Sequence, residues 1–375
     1  MNKIVVLGAG MVGKAMAVDL SRNHDVTAVD LDEESLSYLS SKYNIKTQPL
    51  NLMDEEAIKE LVSGFDLVVS AVPGFMGYDL VKAVIEAKKN VVDISFMPED
   101  FMDLNALAAQ NGVTAITDCG VAPGMPNLIA GYWNEIMEIE SIDYVVGGLP
   151  RVKVYPFYYK APFSPIDVVE EYIRPARYIE KGQPMTKPAM SEPEFMFFEK
   201  VGTLEAFYTD GLRSLLHNLP HIPNMKEKTL RYPGHIHLIQ ALKTAGFFEK
   251  NPITINNTAI RPIDFTSKIL ISDWKLNPNE EEFTVMRVTI SGKIDGKPRT
   301  VRYDLYDEYD KQARLSSMAR TTGFTATAHA ELILQSRFTG KGVFPPELVG
   351  MDEDCFKYVM DYLKERNVNY EMSEL

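Results

Sequence analysis

Gly8, Gly10 and Gly13 stand at the spacing G-x-G-x-x-G, directly after the apolar run Ile4-Val5-Val6-Leu7. The first glycine permits a tight turn, the second lets a pyrophosphate approach the backbone, and the third lets a helix pack closely on the strand. Met11 and Val12 fill the variable places and open that helix. Its unpaired N–H groups and partial positive charge suit a phosphate. A second strand, Val26–Val29, ends in Asp30, about 20 residues beyond the motif, where a carboxylate accepts ribose hydroxyls. Asp32, Glu33 and Glu34 follow, with no Arg or Lys immediately after Asp30. A 2′-phosphate there would meet four carboxylates, so the pattern predicts NAD rather than NADP. Ser70 and Ala71, small residues ending the strand 66–71, leave room for that ligand.

Chemistry on a nicotinamide needs a carbon that gives up hydride and a group that loses a proton. Asp93 and Asp118 each follow a sheet strand and are candidate bases; helix capping or loop hydrogen bonding is the alternative for both. Cys119 reads as a small buried residue rather than a nucleophile. Residues 202–214 are polar and glycine-punctuated with no clean period, the character of a loop that lines a site. Within them Arg213 offers a bidentate fork to a carboxylate, or a surface salt bridge. Glu205 could hold an amine. In Thr229–His235, His235 titrates near neutrality and could act as acid or base. His217, His221 and His237 lie nearby, but no Cys or acidic spacing accompanies them, and no metal site is predicted. The candidate catalytic residues are thus Asp118, His235 and Arg213.

These residues need a scaffold. From 1 to 124 strands and helices alternate. Strands are expected at 4–7, 26–29, 47–49, 66–71, 90–93 and 113–117, with helices between them, Asp32 and Asp54 opening two. Six such strands imply a doubly wound parallel sheet whose carboxyl ends bind ligand. Beyond 124 the alternation stops. A helix near 126–137, a strand near 141–147, an irregular aromatic segment over 151–165, a helix near 165–172 and strands near 176–180 and 195–198 are expected. Residues 281–294 and 299–306 alternate around the hairpin signal Asp295-Gly296. This describes an α+β domain. Helices at 316–335 and 352–366 close the chain, with the turn Gly342–Glu347 between them. The expected domains are 1–124 with 316–375 for the dinucleotide, and 125–315 for substrate and oligomerisation.

Composition sets the class. The chain has 375 residues, 45% of them hydrophobic, and a formal net charge of −13. The acidic balance argues against nucleic acid or an anionic membrane as partner. The longest apolar runs are strand-length, and no signal peptide is evident. Two cysteines far apart suit a reducing cytoplasm.

The stretches Gly8–Gly13, Asp118–Gly124, Val146-Gly-Gly-Leu-Pro150, Gly202–Phe207, Thr229–His235 and Met318–Thr321, taken together, resemble the saccharopine dehydrogenase-like superfamily over essentially the whole chain. Within it they look most like the NAD-dependent L-lysine 6-dehydrogenases. That resemblance implies oxidative deamination of L-lysine at the ε-carbon, giving a semialdehyde that cyclises, and a homodimer or larger homo-oligomer. Saccharopine reductases tend to carry Asp before Pro-Gly and Cys before Gly-Gly-Leu-Pro; here Ala122 and Val146 stand there. Gly211-Leu-Arg-Ser214 resembles the carboxylate-binding region of those reductases. The alternatives are a saccharopine- or carboxynorspermidine-type dehydrogenase that couples aldehyde and amine, and a non-catalytic dinucleotide-binding protein.

Overall fold

The computed structural model describes residues 1–277 and 280–375. Contact density divides them into two compact units, Met1–Ile139 with Gly292–Pro298 and Met318–Tyr370, and Glu140–Ser291 with Arg299–Ser317 and Glu371–Leu375. The helix Met125–Asn134, expected in the second domain, lies in the first unit.

The first unit is built on a parallel sheet. Its strands β1 (Lys3–Leu7), β2 (Asp25–Asp30), β3 (Lys46–Pro49), β4 (Leu67–Ser70), β5 (Asn90–Asp93) and β6 (Thr114–Ile116) run in the spatial order β6-β5-β4-β1-β2-β3. This is the order of a doubly wound dinucleotide-binding sheet. A seventh strand, Gly342–Phe344, joins parallel to β6. The sequence pattern reads these residues as a turn, because three residues before two prolines carry no alternation. Val5, Val68, Val91 and Ala115 are fully buried, as in parallel strands covered on both faces. Helices begin where acidic caps predict: Asp32 accepts from Glu34 N–H at 3.2 Å and Asp54 from Ala57 N–H at 3.1 Å.

The first helix, Met11–Leu20, buries Asp19 as well as its apolar face. Asp19 is satisfied by the C-terminal part of the chain. Arg366 Nε reaches its two oxygens at 2.7 and 2.9 Å, and Tyr362 and Thr327 hydroxyls donate at 2.7 Å each. Beside this network His24 Nε2 meets Glu331 at 2.8 Å. The helices Ser317–Leu334 and Glu353–Glu365 are thus held to the first helix by buried charge.

The second unit is built on a mixed sheet. Its strands are β7 (Glu138–Pro150), β8 (Ala176–Glu180), β9 (Gln183–Lys187), β10 (Glu194–Phe198), β11 (Gly202–Tyr208) and β12 (Met225–Arg231). A small ribbon, β13 (Ile253–Ile255) with β14 (Thr258–Ile260), stands apart, and β15 (Glu282–Ile294) and β16 (Lys297–Glu308) form the expected hairpin. The long path is β10-β11-β12-β7-β15-β16, with β8 on β12 and β9 on β8. β12 runs parallel to β7 and antiparallel to β11. Trp274, Tyr159, Tyr172 and Phe207 fill the core.

One element here departs from expectation: residues 202–208 are a strand rather than a loop. Two more, the strand 225–231 and the helix His235–Thr244, have no counterpart in the sequence reading. β12 hides from a hydrophobicity pattern because Glu227, Lys228, Thr229 and Arg231 are all buried.

Candidate functional site

In the first unit the cofactor candidates converge. Gly8 takes φ +100°, and a Cβ on it would stand 2.5 Å from Ala71 O. A Cβ on Gly13 would stand 1.9 Å from Gly8 O. Both glycines therefore let backbone meet backbone. Gly10 differs, because a Cβ there would meet nothing within 4 Å. That space opens at the N-terminus of the helix Met11–Leu20, which no side chain caps. Open space at an uncapped helix N-terminus, with the N–H groups of Met11 and Val12 beside it, is the geometry that suits a phosphate.

Asp30 sits at the end of β2 with its carboxylate turned to the same place. Its Oδ2 accepts Ala9 N–H at 2.6 Å, and its Oδ1 accepts Leu31 N–H at 2.7 Å and Asp32 N–H at 3.0 Å. Leu31 is 63% exposed beside it, an apolar surface suited to a base. Ala71 packs against Gly8 and Gly13, whereas Ser70 is fully buried and pairs in register with Asp93. Ser70 therefore lies inside the sheet and presents no open surface.

Asp93 and Asp118 come together at the carboxyl ends of β5 and β6. Asp93 is completely buried, and its Oδ2 accepts the Ser95 hydroxyl at 2.6 Å and Ser95 N–H at 3.0 Å. Burial pushes its carboxyl up to about 7, opposed by the Ser95 and Ser70 hydroxyls and aided by the nearby Asp118 charge. Asp118 is buried at φ +56°, a conformation unusual for a residue with a side chain. Cys119 N–H donates to Asp93 O at 3.1 Å, and burial holds the Cys119 thiol well above the usual range. The turn closes at Gly124, whose N–H donates to Asn127 Oδ1 at 3.2 Å, with Asn127 Nδ2 donating in turn to buried Glu347 at 3.0 Å.

In the second unit His235 does not stand as an accessible acid or base. It is fully buried. Arg231 Nε donates to the Tyr172 oxygen at 3.1 Å, so the Tyr172 proton points to His235 Nε2 at 2.9 Å. Nδ1 then carries the imidazole proton and donates to Phe157 O at 2.7 Å. Burial, then the Arg231 charge, pulls the imidazole down to about 3. Arg231 is itself buried, paired with Glu171 at 2.8 Å and lying over the Tyr159 ring at 4.4 Å. The cluster is a buried, mutually hydrogen-bonded set of polar groups. His217, His221 and His237 are exposed, and among the described residues no group of His, Cys, Asp or Glu is placed to hold a metal.

Arg213 falls in a separate cluster. It is buried at φ +52°, not a surface residue. Arg174 lies near enough for the Arg213 charge, after burial, to hold its guanidinium below the usual range. Asp210 takes Arg177 bidentately, Nε at 2.8 Å and Nη2 at 2.9 Å. The turn thus gathers three arginines, one of them already paired with the Asp210 carboxylate. Glu205 is engaged elsewhere, accepting Gly234 N–H at 3.1 Å at the start of the helix His235–Thr244.

Comparison with known proteins bears on the whole chain. The family model described as "Saccharopine dehydrogenase NADP binding domain" matches residues 4–116, and "Saccharopine dehydrogenase C-terminal domain" matches residues 120–368. The chain belongs to the saccharopine dehydrogenase family. It is 23% identical to the saccharopine dehydrogenase [NADP(+), L-glutamate-forming] of Saccharomyces cerevisiae, over 98% of this chain and 99% of that one. It is also 23% identical to the mitochondrial alpha-aminoadipic semialdehyde synthase of Mus musculus, over 92% of this chain but 45% of that protein. The chain thus spans about half the length of the curated mammalian relatives it matches. The solved apo saccharopine dehydrogenase (L-Glu forming) from Saccharomyces cerevisiae superposes with a TM-score of 0.80 at 20% identity, covering 100% of both chains. As in that family, the cofactor is a nicotinamide dinucleotide. Among the described residues, no helix is long and apolar enough to cross a membrane.

Proposed function

We propose that this family member is an NAD-dependent oxidoreductase acting on the C–N bond of an amino acid, with L-lysine oxidised at its ε-carbon. The observation that carries the cofactor choice is Asp30, bonded into the glycine turn and followed by Asp32, Glu33 and Glu34. A 2′-phosphate has no cation to pair with directly after that carboxylate. Bound at the turn, the cofactor supplies the hydride acceptor. Asp30 holds the adenosine ribose, and the N–H groups after Gly10 hold the pyrophosphate.

Asp118 is the proposed proton acceptor for the substrate ammonium, with the buried Asp93 carboxyl beside it. Arg213 is the proposed ligand of the substrate α-carboxylate, a role its burial and its neighbour Arg174 support. Ala122 and Val146 occupy the places where saccharopine reductases tend to carry acid–base side chains, which favours lysine over saccharopine. The first unit is the proposed dinucleotide body, and the second the proposed substrate and homo-oligomer body.

The test is formation of reduced nicotinamide, followed by absorbance, with a panel of lysine, saccharopine and carboxylated polyamines against NAD and NADP. Turnover of lysine with NAD is the expected result. Turnover of saccharopine and not lysine overturns the substrate assignment, and a preference for NADP overturns the cofactor assignment. Sedimentation measures the oligomer, with a monomer at assay concentration contradicting that part.

A further inference from the structure

Glu227 of β12 is buried with its carboxyl group enclosed by one turn. Thr209 Oγ1 lies 2.9 and 2.7 Å from its two oxygens, and Thr229 Oγ1 lies 2.7 Å from Thr209 Oγ1. Gly211 N–H donates to Glu227 Oε2 at 3.1 Å. Tyr144, the register partner of Glu227 on β7, donates its hydroxyl to Gly211 O at 2.6 Å. Residues directly opposite on adjacent strands point to one face of a sheet. The two side chains therefore grip Gly211 from the same face, one at its N–H and one at its carbonyl.

The grip excludes a side chain at 211. A Cβ there would stand 2.6 Å from the Glu227 carboxyl carbon and 2.7 Å from Oε2. Leu212, next in the chain, is fully buried, and Arg213 follows at φ +52°. A left-handed arginine carries backbone strain that the structure around it must offset. Two residues before it Glu227 and Tyr144 hold Gly211, and the Asp210–Arg177 pair holds the residue before that. Burial raises the Glu227 carboxyl to about 8, against the Thr209 bond that lowers it, so the group sits neutral in the core without needing a counter-charge.

We propose that Glu227 is a positioning residue: through Gly211 it fixes the backbone that presents Arg213, and so sets the affinity for the substrate carboxylate. This rests on the reading of Arg213 as the carboxylate ligand. The carboxyl acts as a hydrogen-bond partner and not as a charge, so an isosteric amide performs the same task.

The test is steady-state kinetics of the full chain, with NAD and the amino acid that reduces it varied in turn. Glu227→Gln keeps an acceptor for Gly211 N–H and a donor for Thr209, and is expected to keep the wild-type KM. Glu227→Ala is expected to raise the amino-acid KM about tenfold, with kcat and the KM for NAD little changed. Should Glu227→Ala not fold, Tyr144→Phe, which frees the other side of Gly211, is expected to shift the same KM in the same direction. Arg213→Lys is the reference. If it raises KM while the Glu227 and Tyr144 variants leave KM alone, the positioning role is wrong. If Arg213→Lys leaves KM alone, the carboxylate reading itself is wrong. A crystal structure of Glu227→Ala with the Arg213 backbone unmoved also overturns the proposal, and does so without any assay of turnover.

Discussion

Asp30 Oδ2 accepts the N–H of Ala9 at 2.6 Å, so the carboxylate ending β2 is tied to the glycine turn ending β1. Asp30→Ala removes both the ribose acceptor and this tie. The dissociation constant for NAD, read by fluorescence of the reduced form, is expected to rise about 10- to 100-fold. NADP affinity is expected to change less or improve. Full retention of NAD affinity in this variant contradicts the ribose assignment.

Gly10 and Gly13 separate binding from packing. Gly13→Ala forces a Cβ to 1.9 Å from Gly8 O, so the unit is expected to lose stability as well as cofactor. Gly10→Ala meets nothing within 4 Å in the protein. It is expected to keep its urea midpoint and lose affinity for NAD, because the methyl takes the space of the pyrophosphate. Unchanged affinity in Gly10→Ala places the phosphates somewhere else.

Asp19→Ala leaves the buried Arg366 guanidinium, bonded to it at 2.7 Å, without its counter-charge. Breaking one side of a buried pair costs about 3–5 kcal/mol. Urea unfolding followed by circular dichroism should show a loss of that size. A loss under about 1 kcal/mol shows that water reaches the site after the substitution.

Two buried groups tilt stability with pH in opposite directions. His235 is held at about 3 in the fold, below its ordinary 6.5, so in that window the unfolded chain binds a proton that the folded chain refuses. Its contribution is whole above pH 6.5 and is lost as pH falls toward 3. Glu227 is held at about 8, above its ordinary 4.5, so the folded chain keeps a proton that the unfolded chain releases. Its contribution is whole below pH 4.5 and is lost as pH rises through 8. Glu227→Gln is expected to flatten the alkaline fall of the urea midpoint, and His235→Asn the acid fall. Unchanged slopes in both variants refute the assignment of these groups.

The first unit was legible because its signals are local. Glycines at fixed offsets, Asp32 and Asp54 before helices, and unbroken runs such as Val91-Val92 each carry their meaning within a few residues. In the second unit the hairpin β15–β16 and the strands β8 and β10 were legible too, but β11, β12 and the helix His235–Thr244 were not, because their signals are long-range. Lys228 is buried only because Glu194 waits 2.7 Å away on β10, and Arg231 only because Glu171 and Tyr172 receive it. A strand written with charges cannot be told from a loop until those partners are in place. His235 illustrates the same limit. Its type suggested proton transfer, and its surroundings at Tyr172 and Phe157 hold it neutral and closed off.

The strand Gly342–Phe344 lies beside β6 although more than two hundred residues separate them in the chain. During synthesis the ribosome therefore delivers β1 to β6 long before the neighbour that covers β6. Until residue 344 emerges, that edge offers open N–H and C=O groups to any passing chain. The interval is a window for mispairing, which rapid translation would shorten and a chaperone resting on that edge would cover.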